Sequence, residues 1–136
     1  MRIARLCCLL LLAGSSFAAP AKMVHRPVEW TQDGTRFHSV LVYDDASSAK
    51  RPGLVMVPNW YGINDVAVKK AEMVAGKDYV ILLADMYGAG VRPQPGNASQ
   101  AQAAVKPLYG DRALMRKQIN VALDQFKAQP ASAPLD

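Results

Sequence analysis

The sequence predicts an α/β protein in which a mostly parallel sheet is packed between helices. Two apolar segments, residues 53–57 and 79–84, each end abruptly in a turn that contains glycine and aromatic residues. The segment between them, residues 63–75, has helical spacing, so the three form a strand–helix–strand unit with a parallel strand pair. A second amphipathic segment, residues 111–128, predicts a helix that covers the sheet.

The start of the chain predicts a secretory signal peptide. Two arginines precede a short apolar run, residues 6–13, and small residues follow it up to Ala18. The run is too short for a membrane span, which needs about 20 apolar residues. We therefore expect a signal peptide over residues 1–18, a folded domain over residues 19–136, and a periplasmic or secreted protein without a membrane segment.

The composition argues against several classes of function. With 51% hydrophobic and 20% charged residues, the chain has the profile of a globular protein. The net charge of +5 comes from scattered basic residues, whereas a nucleic-acid surface needs a clustered basic face. Both cysteines, Cys7 and Cys8, lie in the predicted signal peptide, so the mature segment offers no disulfide and no thiolate metal site. We expect no nucleic acid, no metal and no cofactor.

A β-hairpin is predicted at the start of the mature segment. Residues 28–32 and 35–43 are alternating runs separated by Asp33 and Gly34, and an Asp-Gly pair favours the tight turn between antiparallel strands. A polar loop follows. Residues 53–57 then predict a third strand that is apolar enough to be buried on both faces.

The elements after the third strand are predicted from their ends. Asn64 or Asp65 can cap the helix over residues 63–75, and Gly76 can end it. The fourth strand, residues 79–84, completes the parallel pair.

The last third of the sequence predicts a loop and a covering helix. Residues 88–97 are rich in glycine and proline and predict a loop or lid. The helix over residues 111–128 has an apolar stripe that consists of Leu114, Ile119, Ala122, Leu123 and Phe126. Because two central strands leave a parallel sheet underfilled, we expect another strand after Asp136 and interpret the chain as truncated.

The most specific motifs lie at the two strand ends. "VPNWYGIN", residues 57–64, joins a polar residue, two aromatics, glycine and asparagine to a strand, and "ADMYG", residues 84–88, joins aspartate to an aromatic and glycine. With the hairpin and helices, they resemble the amino-terminal half of the dienelactone hydrolase family, a branch of the α/β-hydrolases, over residues 28–136. The resemblance implies an α/β-hydrolase-like three-layer sandwich, here truncated before the nucleophile strand. No Gly-x-Ser-x-Gly or Gly-x-Cys-x-Gly sequence occurs in the chain.

The resemblance also implies a role for the turn after the third strand. Acyl transfer builds negative charge on a carbonyl oxygen, and backbone amides of an oxyanion hole stabilise that charge. In α/β-hydrolases one such donor comes from the loop after the third strand. By resemblance the donor is the backbone amide of Trp60, and the side chains of Trp60, Tyr61 and Tyr87 line the substrate pocket. The alternative is that these aromatics only pack in the core.

Three polar residue types, asparagine, aspartate and histidine, have open or negative assignments. Asn59 stands where well-known family members have a glutamate, and we expect it to contact the substrate, with turn formation as the alternative. Asp85 is not the triad acid, because that acid follows the nucleophile in chain order. We expect Asp85 to cap the following turn or to support the site. His25 and His38 lie far from the strand ends in the predicted topology and are not expected to be catalytic.

The predicted function is hydrolysis of a small ester or lactone by a nucleophile, histidine and aspartate that lie beyond Asp136. An exported, non-catalytic ligand-binding module of the same fold is the alternative, and the residues that follow Asp136 distinguish the two. A nucleotide-binding domain would need a glycine-rich phosphate turn, and residues 57–65 contain a single glycine.

Overall fold

The computed structural model describes residues 22–46 and 48–129, which form a sheet with helices on both faces. The elements are β1 (Met23–Gln32), β2 (Thr35–Asp44), β3 (Gly53–Met56), α1 (Asp65–Ala75), β4 (Val80–Leu83), α2 (Ala98–Gly110) and α3 (Arg112–Lys127). The predicted signal peptide, residues 1–18, and the Pro-rich end, residues 130–136, lie outside the described residues.

The sheet has the strand order β1-β2-β4-β3. β1 pairs with β2 and β2 with β4 in antiparallel fashion, whereas β3 and β4 run parallel. The predicted α/β class and the parallel strand–helix–strand unit are confirmed. Within residues 22–46 and 48–129 the sheet is mixed, because the hairpin adds two antiparallel pairings to the one parallel pairing.

The predicted hairpin turn is also confirmed. Asp33 and Gly34 have φ angles of 50° and 77°, the left-handed region that a two-residue turn between twisted strands requires. All ten residues of β1 pair with β2, so β1 begins at Met23, five residues before its predicted start.

The side chains of β2 and β4 alternate between the two faces of the sheet, as a strand period of two requires. One face packs against α2 and α3, and its buried residues include Leu41, Leu82, Leu108, Ala122 and Phe126. The opposite face packs against α1, and its buried residues include Val42, Ile81, Leu83, Ala67 and Ala71. The described residues therefore form three layers, and the predicted apolar stripe of α3 faces the sheet.

The prediction that the third strand is buried on both faces is wrong for the described sheet. Leu54 is 39% exposed, and Val55 and Met56 are only half-buried. The reason is position, because β3 is at the edge of the described sheet and β4 is inside it. The four residues of β4 are fully buried.

The residues predicted to cap and to end α1 do so in the structure. The Asn64 side chain accepts a hydrogen bond from the amide of Ala67 at 3.0 Å, so Asn64 and not Asp65 is the N-cap. Gly76 ends the helix with φ 46°. The helix begins at Asp65, two residues later than predicted, since Ile63 and Asn64 belong to the preceding turn.

Helix α2 was not predicted from the sequence. Asn97 caps it by accepting a hydrogen bond from the amide of Gln100 at 3.1 Å, and Pro107 lies inside it. Asp111 ends α2 and also caps α3, through a bond from the amide of Leu114 at 2.9 Å. In the described part of the chain, no helix combines the length and the apolar character needed to cross a membrane.

Candidate functional site

The site lies where β3 and β4 end. The two parallel strands end level with each other, because Met56 pairs with Leu83 and the amide of Ala84 donates to the carbonyl of Met56 at 2.9 Å. The β3 turn, residues 59–62, and the β4 loop, residues 85–92, therefore lie side by side. In open α/β sheets this carboxyl edge is where ligands bind.

Hydrogen bonds within the β3 turn hold the amides of Tyr61 and Gly62 and leave that of Trp60 available. The amide of Gly62 donates to the carbonyl of Asn59 at 2.9 Å, and the amide of Tyr61 donates to the Asn59 side-chain oxygen at 3.0 Å. Within the described residues, no acceptor is bonded to the amide of Trp60. Trp60 occupies the first central position of the turn, whose N–H the turn itself does not use. This amide is free to bind a ligand atom.

Asn59 has a structural role in the turn. Its side-chain oxygen accepts from the amide two residues later, which is the local bond that makes asparagine common in turns. The turn-forming alternative for Asn59 is therefore present in the structure. The residue also borders the cavity described below, so its predicted contact with substrate stays a prediction.

Tyr87 joins the β4 loop to the β3 turn. Its hydroxyl donates to the carbonyl of Trp60 at 3.0 Å. Burial, and secondarily the neighbouring Tyr109, raise the pKa of the Tyr87 phenol above its ordinary value, so the phenol stays a donor at neutral pH. Gly62 lies against the Tyr87 ring, since a Cβ at Gly62 would be 3.2 Å from a ring carbon, and its φ of 67° also favours glycine.

A cavity of about 270 Å³ lies beside these residues. Its lining consists of Val57, Pro58, Asn59, Trp60, Met86, Tyr87, Val105, Leu108, Tyr109 and Met115. Trp60 is 40% exposed, so it is not a core side chain in the described structure.

Tyr61 is placed differently from the other predicted site residues. It borders a neighbouring depression on the α1 side, together with Asn64 and Lys70. Its ring contacts that of Trp60 edge to face, with the ring centres 5.6 Å apart. The structure thus brings Asn59, Trp60 and Tyr87 to one cavity. Tyr61 borders the neighbouring depression and contacts the Trp60 ring.

The contribution of α2 to this cavity was not predicted from the sequence. Val105, Leu108 and Tyr109 form its wall opposite the two strand ends. A signal for this helix was present, because Asn97 and Gln100 have the spacing of a capping box, followed by an alanine-rich run.

Asp85 is a buried structural anchor, which confirms its predicted role as a cap of the following turn. Its side chain is 1% exposed, and one oxygen accepts from the amides of Tyr87 and Gly88 at 3.1 Å each. Its other oxygen accepts from the amide of His38 at 3.0 Å. Arg92 donates to both oxygens, at 3.3 and 2.9 Å, and neutralises the buried charge.

The histidines lie on the hairpin, away from the cavity, and each contacts a glutamate. His25 contacts Glu72 of α1 at 2.8 Å, and His38 contacts Glu29 at 3.4 Å. Over residues 22–46 and 48–129, no three His, Cys, Asp or Glu side chains lie close enough together to hold a metal ion.

The three layers and the parallel strand pair agree with the α/β-hydrolase fold, and solved structures of that fold resemble this chain. One is a dienelactone hydrolase-like promiscuous phosphotriesterase from metagenomic libraries, with 32% sequence identity and a TM-score of 0.72. Another, m3DLH, has 35% identity and a TM-score of 0.71. Each similarity covers 84% of this chain and 45% of the other, so the chain spans about half the length of these structures.

The family model described as "Dienelactone hydrolase family" matches residues 37–134. The chain belongs to the dienelactone hydrolase family. A search of curated proteins found no match.

Proposed function

We propose that this chain forms the amino-terminal part of a hydrolase that cleaves a small ester or lactone, and that the Trp60 amide is one donor of its oxyanion hole. The nucleophile, histidine and aspartate would be contributed by residues after Asp136. The observation that supports the proposal is the unused amide of Trp60, which lies beside a cavity at the carboxyl edge of the sheet. The position agrees with the loop that provides an oxyanion donor in α/β-hydrolases.

The chemistry of this donor follows from its surroundings. When a nucleophile attacks an ester carbonyl, charge moves to the carbonyl oxygen, and a fixed N–H that already points there stabilises the transition state more than the ground state. The β3 turn holds the two amides that follow, those of Tyr61 and Gly62, in internal bonds. The donor is therefore fixed before the substrate arrives.

The cavity lining favours a neutral substrate. In the described part of the chain, none of the side chains that line the cavity is charged. An anionic group would lose its hydration there without gaining a cationic partner from these side chains. Phosphotriesters are also neutral esters. One solved neighbour is described as a promiscuous phosphotriesterase, so a phosphotriester is the second substrate class to assay.

The test compares two substitutions at one position. Proline at 60 removes the N–H, and the first central position of a β-turn accepts proline well. Alanine at 60 keeps the N–H and removes the ring. In the complete gene product we expect Trp60→Pro to lower kcat for a neutral ester by roughly a hundredfold or more relative to Trp60→Ala, the usual effect of one lost oxyanion donor.

Circular dichroism of both variants provides the folding control. A folded Trp60→Pro protein with the turnover of Trp60→Ala would show that the turn holds no oxyanion donor. A complete gene product that binds neutral esters and turns none over would instead support the exported ligand-binding module.

A further inference from the structure

We propose that Tyr87 is a positioning residue whose hydroxyl holds the β3 turn in the orientation that presents the Trp60 amide, and that the Asp85–Arg92 pair holds Tyr87 in place. The inference rests on the proposed function, since the orientation of the turn affects turnover only if the Trp60 amide is a donor. It assigns Tyr87 a role other than substrate contact.

The first step concerns the central peptide of the β3 turn, which joins Trp60 to Tyr61. Its N–H donates to the Asn59 side chain at 3.0 Å, and its carbonyl accepts from the Tyr87 hydroxyl at 3.0 Å. Rotation of the central peptide converts one β-turn type into another, so bonds at both ends select a single turn type. The bond from Tyr87 also ties the turn to the β4 loop, so it restrains movement of the Trp60 backbone as a whole, including its N–H.

The second step concerns the carbonyl oxygen itself. A free carbonyl dipole next to the reacting centre would repel the negative charge that develops on the substrate. The bond from Tyr87 keeps the Trp60 oxygen directed at the phenol. A phenylalanine at 87 would keep the ring contact with Gly62 but would leave this oxygen without its partner.

The third step concerns how Tyr87 is held. Asp85 binds the backbone amides of Tyr87 and Gly88, and it is tied to β2 through the amide of His38. Arg92 donates to Asp85 and, at 2.7 Å, to the carbonyl of Gly88, so it cross-links the β4 loop. The nearly fully buried Asp85 carboxylate bonds both to its own loop and to β2, so the β4 loop has little freedom to shift relative to the sheet.

Tyr87→Phe tests the first two steps in the complete gene product. We expect kcat for a neutral ester to fall about tenfold, less than for a deleted donor, with KM changed by less than about twofold. Loss of a direct substrate contact would instead raise KM. Tyr79→Phe is the matched control and should leave both constants unchanged, because Tyr79 is exposed just before β4, at the end of that strand opposite to the site.

A spectroscopic measurement separates this inference from the proposed function. In Tyr87→Phe the amide nitrogen chemical shift of Tyr61 should move, because that nitrogen belongs to the peptide whose carbonyl loses a hydrogen bond, and Tyr79→Phe should not move it. An unmoved Tyr61 signal, or a kcat equal to that of the parent in an active enzyme, overturns the inference. If the parent protein has no hydrolase activity, the proposed function fails, and a moved Tyr61 signal still supports the restraint of the turn by Tyr87.

Arg92→Lys and Arg92→Gln test the third step. Lysine keeps the charge but cannot bind both oxygens of Asp85 and the Gly88 carbonyl in the planar geometry of arginine. We expect both variants to move the Tyr61 signal and to lower kcat, with the lysine variant retaining more activity than the glutamine variant. Equal, parent-like kcat values in both folded variants would show that the pair does not position Tyr87.

Discussion

Asn59 and Asp85 each use side-chain oxygens to hold backbone amides of the turn that follows them. Asn59 binds the amide of Tyr61, and Asp85 binds those of Tyr87 and Gly88. A local bond over two or three residues is the reason that these residue types are common in turns, so the sequence could predict this part of their role. The bond from Arg92 to Asp85 also forms within one loop, but no spacing rule predicts it.

The ion pair between the hairpin turn and α3 gives a prediction at the residue scale. The hydrogen bond from Lys117 to Asp33, 2.6 Å long, lowers the pKa of the Asp33 carboxyl. A carboxyl whose pKa is lowered by folding stabilises the folded state above its unfolded pKa of about 3.9, and this contribution is lost as the pH falls through the folded pKa. Both side chains are more than half exposed, so the effect is small and sensitive to salt.

We expect Lys117→Gln to lower Tm slightly at about pH 7 in low salt and to leave it unchanged at about pH 2, below the ordinary aspartate range. Thermal melts of parent and variant at both pH values, repeated at about 1 M salt, provide the measurement. A Tm difference that persists at low pH would mean that Lys117 stabilises the fold by packing of its alkyl chain and not by its charge.

At the scale of elements, most strands and helices were predictable from local signals at their ends, whereas α2 was missed although it has such a signal. The hairpin, α1 and β4 were predicted because Asp33-Gly34, Asn64 and Gly76 mark their ends. α2 was missed because Pro107 and the preceding glycine- and proline-rich loop mask a helix whose cap, Asn97, is its clearest signal. The exposure of β3 depends on strand order, which the apolar run of β3 does not specify.

The cap of α1 gives a prediction at this scale. Asn64 satisfies the amide of Ala67, and alanine at 64 would leave that amide to water. We expect Asn64→Ala to lower the free energy of unfolding by about 1 kcal/mol, measured by urea denaturation. Asn64→Asp is the control, because aspartate caps as well as asparagine and adds a charge that the helix dipole favours. Equal destabilisation by both variants would show that the cap bond does not stabilise α1.

At the scale of the whole molecule, the site depends on contacts that no local pattern contains. The bonds between Tyr87 and Trp60 and between Asp85 and His38 join residues 27 and 47 positions apart. The resemblance of the two strand-end motifs to a family gave the position of the site, and the pairing of β3 with β4 brings those strand ends together. Trp60 and Tyr61 border different cavities because of the path that the backbone takes through the turn. The sequence alone did not predict that path.

The edge position of β3 gives the last prediction. In the described sheet β3 pairs with β4 alone, so its other side presents unpaired backbone groups. Leu54 in β3 is 39% exposed, and Val57 just after β3 is 50% exposed. An exposed apolar edge strand is a template for association. We expect the 136-residue chain to self-associate, and we expect Leu54→Lys to shift it toward monomer by placing charge on that edge.

Met73→Lys is the control, because Met73 is an exposed apolar residue on α1, away from β3. Sedimentation velocity over a range of concentrations measures the oligomeric state of the parent chain and of both variants. A monomeric parent chain, or an equal effect of the two lysine variants, would show that the β3 edge does not drive association.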